Sequence, residues 1–173
     1  MTAVAESNVR VSSAQSADGT PIGYCSVGTG PGLIIVGGVL SSAARYRPLA
    51  EKLTDTFEVH LMNRRGRAGS GPQGAGHSIE QECDDLLAVI AATGAGMVFG
   101  HSFGGLVALE TARRRTGLQR VLVYEPCSCS RFVRGGGLQS SPYWKSISAS
   151  SGSKPRSTVP VPTGFQPSQP APC

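Results

Sequence analysis

The sequence predicts an α/β fold: a mostly parallel sheet opened by an antiparallel hairpin, with helices on both faces. Three observations predict it. Short strand-like runs alternate with segments of helical periodicity through the first 126 residues. Two strand-like stretches at the start flank a turn containing Asp18-Gly19, a hairpin signal. The run LIIVGG at 33–38 is continuously apolar, as in a parallel strand covered on both faces.

In chain order, NVRVSSA (8–14) and PIGYCSV (21–27) form the expected hairpin, and 33–38 the first parallel strand. SAARYRPLAEKL (42–53) reads as a helix bent at Pro48. FEVHLMN (57–63) alternates as a strand does, and a polar, glycine-rich loop follows at 64–77. SIEQECDDLLAVIAATG (78–94) is a helix with Ser78 as N-cap and Gln81 three residues on, the capping-box pattern. Its stripe is Ile79, Cys83, Leu86, Leu87 and Ile90, which leaves Asp84 and Asp85 for the solvated side. A strand at 96–101, a helix at 103–115 and a strand at 119–125 complete the set. The order of the strands in the sheet is not legible from this pattern.

At 173 residues the chain suffices for one domain with a real core. Residues 1–126 hold 11 basic and 11 acidic residues, so the net charge of +5 belongs to Arg131, Arg134, Lys145, Lys154 and Arg156. From 127 to 173, Ser, Pro and Gly supply 23 of 47 residues, a composition that does not build a packed core. The expected organisation is therefore a folded part, 1–126, and a basic, disordered tail, 127–173. Five dispersed cations with scattered aromatics make no nucleic-acid motif, and none is expected as partner. No secretory leader opens the chain, and the longest apolar stretch is too short for a membrane span, so a cytoplasmic protein is expected. The five cysteines lack metal spacing and are expected as unpaired thiols, without metal or cofactor. Gly28, Gly30 and Gly32 precede a strand instead of following one, which argues against a dinucleotide fold.

The chemistry centres on VFGHSFGGLVALE at 98–110. Gly100-His101-Ser102-Phe103-Gly104 fits G-x-S-x-G, with a strand before it and a helix after it. In that setting the serine takes a strained backbone conformation, and the helix amides lie beneath its oxygen.

With this elbow, two further motifs make residues 20–126 resemble the amino-terminal half of an α/β-hydrolase of the esterase, lipase and cofactor-free haloperoxidase group. Gly37-Gly38-Val39 stands where such enzymes usually have His-Gly-x, and Asn63-Arg64-Arg65-Gly66-Arg67-Ala68-Gly69-Ser70 resembles their D-x-R-G-x-G-x-S loop. Tyr124-Glu125-Pro126 looks like the end of the family's sixth strand. The resemblance implies Ser102 as acyl-accepting nucleophile, backbone amides of Val39 and Phe103 as oxyanion hole, Arg65 as a structural tie, and a small ester or acyl compound as substrate. It also implies a histidine and an acid late in the chain. The three histidines, His60, His77 and His101, all come early. His60 reads as packed, His77 as a distant surrogate, and His101 as a poor base for its neighbour. Glu125, where related dehalogenases place an acid, has no late histidine to orient. A serine without a base is a weak nucleophile. The expectation is a truncated or frame-shifted hydrolase, an incomplete fold with impaired turnover, an exposed sixth strand and partner-dependent folding. The alternative is a non-catalytic scaffold built on the half-fold and its tail.

Overall fold

The computed structural model describes residues 9–114 and 117–126. Within them lie strands β1 (Arg10–Gln15), β2 (Pro21–Val27), β3 (Gly32–Val36), β4 (Glu58–Met62), β5 (Met97–His101) and β6 (Arg120–Tyr124). They form one sheet in the order β1-β2-β4-β3-β5-β6. The hairpin runs from Arg10 opposite Ser26 to Gln15 opposite Pro21, and β2 is also antiparallel to β4. The pairs β3–β4, β3–β5 and β5–β6 are parallel. At the hairpin turn Gly19 adopts φ +79°, open to glycine at little cost, and Asp18 Oδ1 accepts the Thr20 N–H at 2.9 Å.

Period-two alternation divides the strands between two cores. Ile34, Val36, Tyr24, Met62 and Val98 face α2 (Ile79–Thr93) and α3 (Phe103–Arg113), meeting Cys83, Leu86, Val89, Val107 and Ala108. Ile35, Cys25, Val27, Val59 and Leu61 face the other way, toward Ala43, Tyr46 and Ala50. Helical segments therefore cover both faces, as the sequence predicts.

The segment at 42–53 departs from the expected bent helix. A 3₁₀ turn, Ala43–Tyr46, gives way to a short helix α1 (Arg47–Glu51) with Pro48 in its first turn. Proline has no N–H to donate, so it starts the second segment instead of bending one continuous helix. The capping box of α2 forms as expected, and Gly94 closes that helix at φ +68°.

Of the two acids on α2 expected to be solvated, Asp84 is half-exposed and pairs with Arg114, whereas Asp85 needs correction. Asp85 is fully buried, as is Glu82. Each meets an arginine from the β4–α2 loop, a partner outside the reach of helical periodicity. The α2 stripe thus joins Cys83, Leu86 and Val89 to two buried carboxylates, with Leu87 only half-buried. Burial pushes the Cys83 thiol up to about 11, and Cys83 is a free thiol as expected, while Cys127, Cys129 and Cys173 lie outside the described residues. The tail expected to be disordered lies outside the described residues. The sheet ends on β6, where Leu122 and Tyr124 are exposed among the described residues.

His60 on β4 is buried, with its Nδ1 2.8 Å from Ser26 Oγ across the β2–β4 pair and its Nε2 unpartnered among the described residues. Burial holds its pKa below the usual imidazole value. The unfolded chain therefore takes up this proton first as pH falls. The His60 contribution to stability is complete above about pH 6.5 and is lost as pH falls toward the lower folded pKa. Urea unfolding from pH 7.5 to 5 is expected to show stability falling by up to about 1.4 kcal/mol per pH unit. In His60→Gln that slope should flatten.

Candidate active site

The chain turns sharply from β5 into α3, and Ser102 sits on the bend. Its backbone lies at φ 54°, ψ −120°, a region that non-glycine residues enter only when surrounding structure forces them. Three bonds hold it there: Ser102 N–H donates to Tyr124 O on β6 at 2.9 Å, and Ser102 O accepts from Gly105 N–H at 2.9 Å and Leu106 N–H at 3.4 Å. The side chain makes no capping bond to the helix, so Oγ is not occupied by that role.

Glycines make the bend possible. A Cβ on Gly104 would lie 2.2 Å from Val36 O, and one on Gly100 would lie 2.4 Å from Gly104 O. Helix α3 thus starts in backbone contact with the end of β3. The segment leaving β3, Gly37 to Ser41, is brought against the bend by the same approach: a Cβ on Gly38 would lie 3.2 Å from Ser102 Cβ and 3.5 Å from its Oγ.

The space a side chain at Gly37 would take is filled by Tyr46, whose ring lies 2.6 Å from the position of a Cβ there. The Tyr46 hydroxyl accepts the Gly38 N–H at 3.3 Å and lies 2.7 Å from His101 Nδ1. The β3 loop therefore keeps its place without the histidine common at position 37 in the group that the sequence resembles.

Two buried arginines of the β4–α2 loop pair with acids of α2, and one of them reaches the site. Arg65 forms a two-bond pair with Asp85 (Nε–Oδ2 2.7 Å, Nη2–Oδ1 2.6 Å) and reaches Asp18 at 3.0 Å. This is the structural tie that the family resemblance implies. Arg64 makes a matching pair with Glu82 (Nε–Oε2 2.8 Å, Nη2–Oε1 2.5 Å). Its Nη1 also donates to Gly38 O at 3.3 Å, and its guanidinium stacks on the Phe103 ring, 4.4 Å from the centroid. Burial pushes the Glu82 carboxyl up, but Arg64 and then His77 outweigh it and hold the group below the ordinary value.

The residues assigned on sequence fall around one point. Ser102 is on the bend, Phe103 follows it at the start of α3, and Val39 follows Gly38 in the adjoining loop. The Val39 N–H donates to no protein group among the described residues. None of the three histidines bonds Ser102: His60 meets Ser26, His77 meets Glu82 at 2.7 Å, and His101 meets Tyr46. Glu125 lies exposed just past β6, at φ 45°. Among the described residues no cluster of His, Cys, Asp or Glu is placed to hold a metal, and no helix is long and apolar enough to cross a membrane. Sequence reasoning missed Arg64, Tyr46 and Glu82. A signal for one pair was available: tandem Arg64-Arg65 faces two acids, Glu82 and Asp85, spaced three apart on one side of a helix.

Comparison with known proteins agrees with this fold. Residues 31–120 match the model of the thioesterase domain. The N-formylmaleamate deformylase of Pseudomonas putida is 33% identical over 104 residues, which cover 57% of this chain and 38% of that protein. A pimeloyl-[acyl-carrier protein] methyl ester esterase of Xanthomonas campestris is 28% identical over 109 residues, 63% of this chain and 41% of its own. The crystal structure of an alpha/beta hydrolase from Sphaerobacter thermophilus superposes with a TM-score of 0.63 at 42% identity, covering 66% of this chain and 45% of that one. The chain spans well under half the length of the curated relatives it matches.

The bend makes its own prediction. Alanine inside a helix normally gains about 1 kcal/mol over glycine, but at Gly104 the clash with Val36 O should outweigh that gain. Gly104→Ala is expected to lose about 3 kcal/mol or more in urea unfolding. Gly76→Ala, where a Cβ meets nothing within 4 Å, is expected to be neutral.

Proposed function

Because this chain belongs to the thioesterase-domain family of the α/β-hydrolases, we propose that it carries the nucleophile half of a serine hydrolase for an ester or related acyl compound. The observation that carries the proposal is Ser102, held at positive φ with its side chain free of any capping bond. Backbone strain of this kind, about 1–3 kcal/mol, persists where surrounding structure over-determines it and clusters at reactive sites.

The reaction follows from the groups at hand. Ser102 Oγ attacks the acyl carbon, its proton leaves to a base, and the carbonyl oxygen becomes an oxyanion. The N–H groups of Val39 and Phe103 are the donors for that charge, and fixed backbone donors need no reorganisation as it develops. Collapse expels the alcohol, thiol or amine with a proton and leaves an acyl-serine. Water attacks the acyl-serine to release the acid and restore Ser102. The relatives named as deformylase and methyl ester esterase support this class of acyl chemistry.

The base is the weak link within these 173 residues. All three histidines are engaged elsewhere. Loss of the triad histidine costs about 10⁶-fold in turnover, leaving catalysis by the oxyanion hole and binding. We therefore propose slow acylation by the chain on its own.

Intact-mass analysis with a fluorophosphonate tests this reading. One adduct is expected on the wild-type protein and none on Ser102→Ala, with labelling accelerated by added imidazole as an external base. A label that survives Ser102→Ala, or folded protein that takes none, contradicts it. The second outcome would favour a non-catalytic scaffold.

A further inference from the structure

We propose that Arg64 is a positioning residue that aims the Val39 amide into the oxyanion hole, clamping the Gly38–Val39 peptide through the Gly38 carbonyl. This rests on the function proposed above, with Val39 and Phe103 as the donors.

The inference begins with one peptide plane. Gly38 O and Val39 N–H belong to the same peptide unit, which is trans like every described peptide in the chain. In a trans peptide the carbonyl and the N–H point in opposite directions. Whatever holds Gly38 O therefore decides where the Val39 N–H is presented. Gly38 O accepts from Arg64 Nη1 at 3.3 Å and from Ser41 N–H at 3.2 Å. The next carbonyl, Val39 O, accepts from Arg67 Nη2. Arginines from one loop thus fix two successive carbonyls of another loop, while Tyr46 fixes the Gly38 N–H. Of these groups, the Val39 N–H alone has no partner among the described residues and is left to donate to a ligand.

A clamp is needed here because the loop has little else to stiffen it. Gly37 and Gly38 lack side chains, and Val39 and Leu40 are exposed, Leu40 to 96%. Without the clamp, the loop's own hold on this peptide is the single Ser41 N–H bond to Gly38 O at 3.2 Å. Arg64 is itself immobile: it is buried, paired by two bonds to Glu82, and stacked on Phe103, the second donor residue. One guanidinium therefore touches Phe103 and the peptide unit that carries the Val39 N–H. His77, at 2.7 Å from Glu82, buttresses the carboxylate from outside.

Arg65 is the internal control. It has the same kind of buried bidentate partner on the same helix, but its remaining bond goes to Asp18, away from the β3 loop. The two arginines are adjacent in sequence and similar in bonding, and they differ in what the third bond holds.

The test compares three proteins: wild type, Arg64→Met/Glu82→Leu, and Arg65→Met/Asp85→Leu. Paired apolar replacement avoids an orphaned buried charge, and such swaps are often neutral for folding. The first readout is the rate constant and the apparent affinity of Ser102 phosphonylation by a fluorophosphonate, by intact mass. The Arg64→Met/Glu82→Leu protein is expected to lose about 10²-fold in the rate constant, as for removal of one oxyanion donor, with affinity little changed. The Arg65→Met/Asp85→Leu protein is expected to stay near wild type. Equal rates in all three proteins, or equal losses in both variants, overturn the proposal. The second readout needs no reaction: the ¹H–¹⁵N signal of the Val39 amide. One sharp signal is expected in wild type and a shifted, doubled or broadened one in the Arg64→Met/Glu82→Leu protein alone. An unchanged signal there overturns the clamp. If wild type takes no label, the nucleophile reading fails by itself, and the amide signal still decides whether Arg64 orients this peptide.

Discussion

The structure depends on one close approach: the start of α3 lies in backbone contact with the end of β3. A Cβ on Gly104 would sit 2.2 Å from Val36 O, inside any possible contact, so that position admits only glycine without rearrangement. Two consequences follow from the same geometry. The chain must bend abruptly between β5 and α3, which places Ser102 at φ 54°. The segment after β3 must pass beside that bend, which brings Gly38 against Ser102. A hydroxyl and a backbone loop thus meet because two elements are packed too tightly for side chains between them.

Polar clamps then fix what this approach leaves loose. The Arg64–Glu82 and Arg65–Asp85 pairs tie the β4–α2 loop to α2, and Tyr46 ties the β3 loop to the 3₁₀ turn. Buried ion pairs of this kind add little net stability over apolar packing, yet breaking one partner alone costs about 3–5 kcal/mol. Their value here is geometric. They hold glycine-rich loops, which have the largest conformational freedom to lose, in single arrangements, and the Arg64 and Tyr46 contacts do so beside Ser102.

Much of this was legible in the sequence because its signals are local. The strand signals in 21–27 and 57–63, the capping box at Ser78 and Gln81, and the G-x-S-x-G bend are each decided within a few residues, and all appear where expected. The segment at 42–53 was misread because its periodicity runs through Pro48, whereas the backbone restarts there. The acids of α2 were misplaced for a different reason. A hydrophobic stripe assigns Asp85 to water, and only an arginine 20 residues away makes its burial tolerable, as one 18 residues away does for Glu82. Tyr46 filling the space beside Gly37 is likewise a long-range fit that no spacing encodes.

The central claim is that packing, not local preference, forces residue 102 into its backbone conformation. Replacing Ser102 by glycine and by alanine and comparing their unfolding free energies tests it most directly. Glycine adopts positive φ without penalty, so Ser102→Gly should be more stable than Ser102→Ala by about 1–3 kcal/mol. Alanine equal to or more stable than glycine would mean that residue 102 carries no strain, and the bend would lose its claim to hold a reactive hydroxyl.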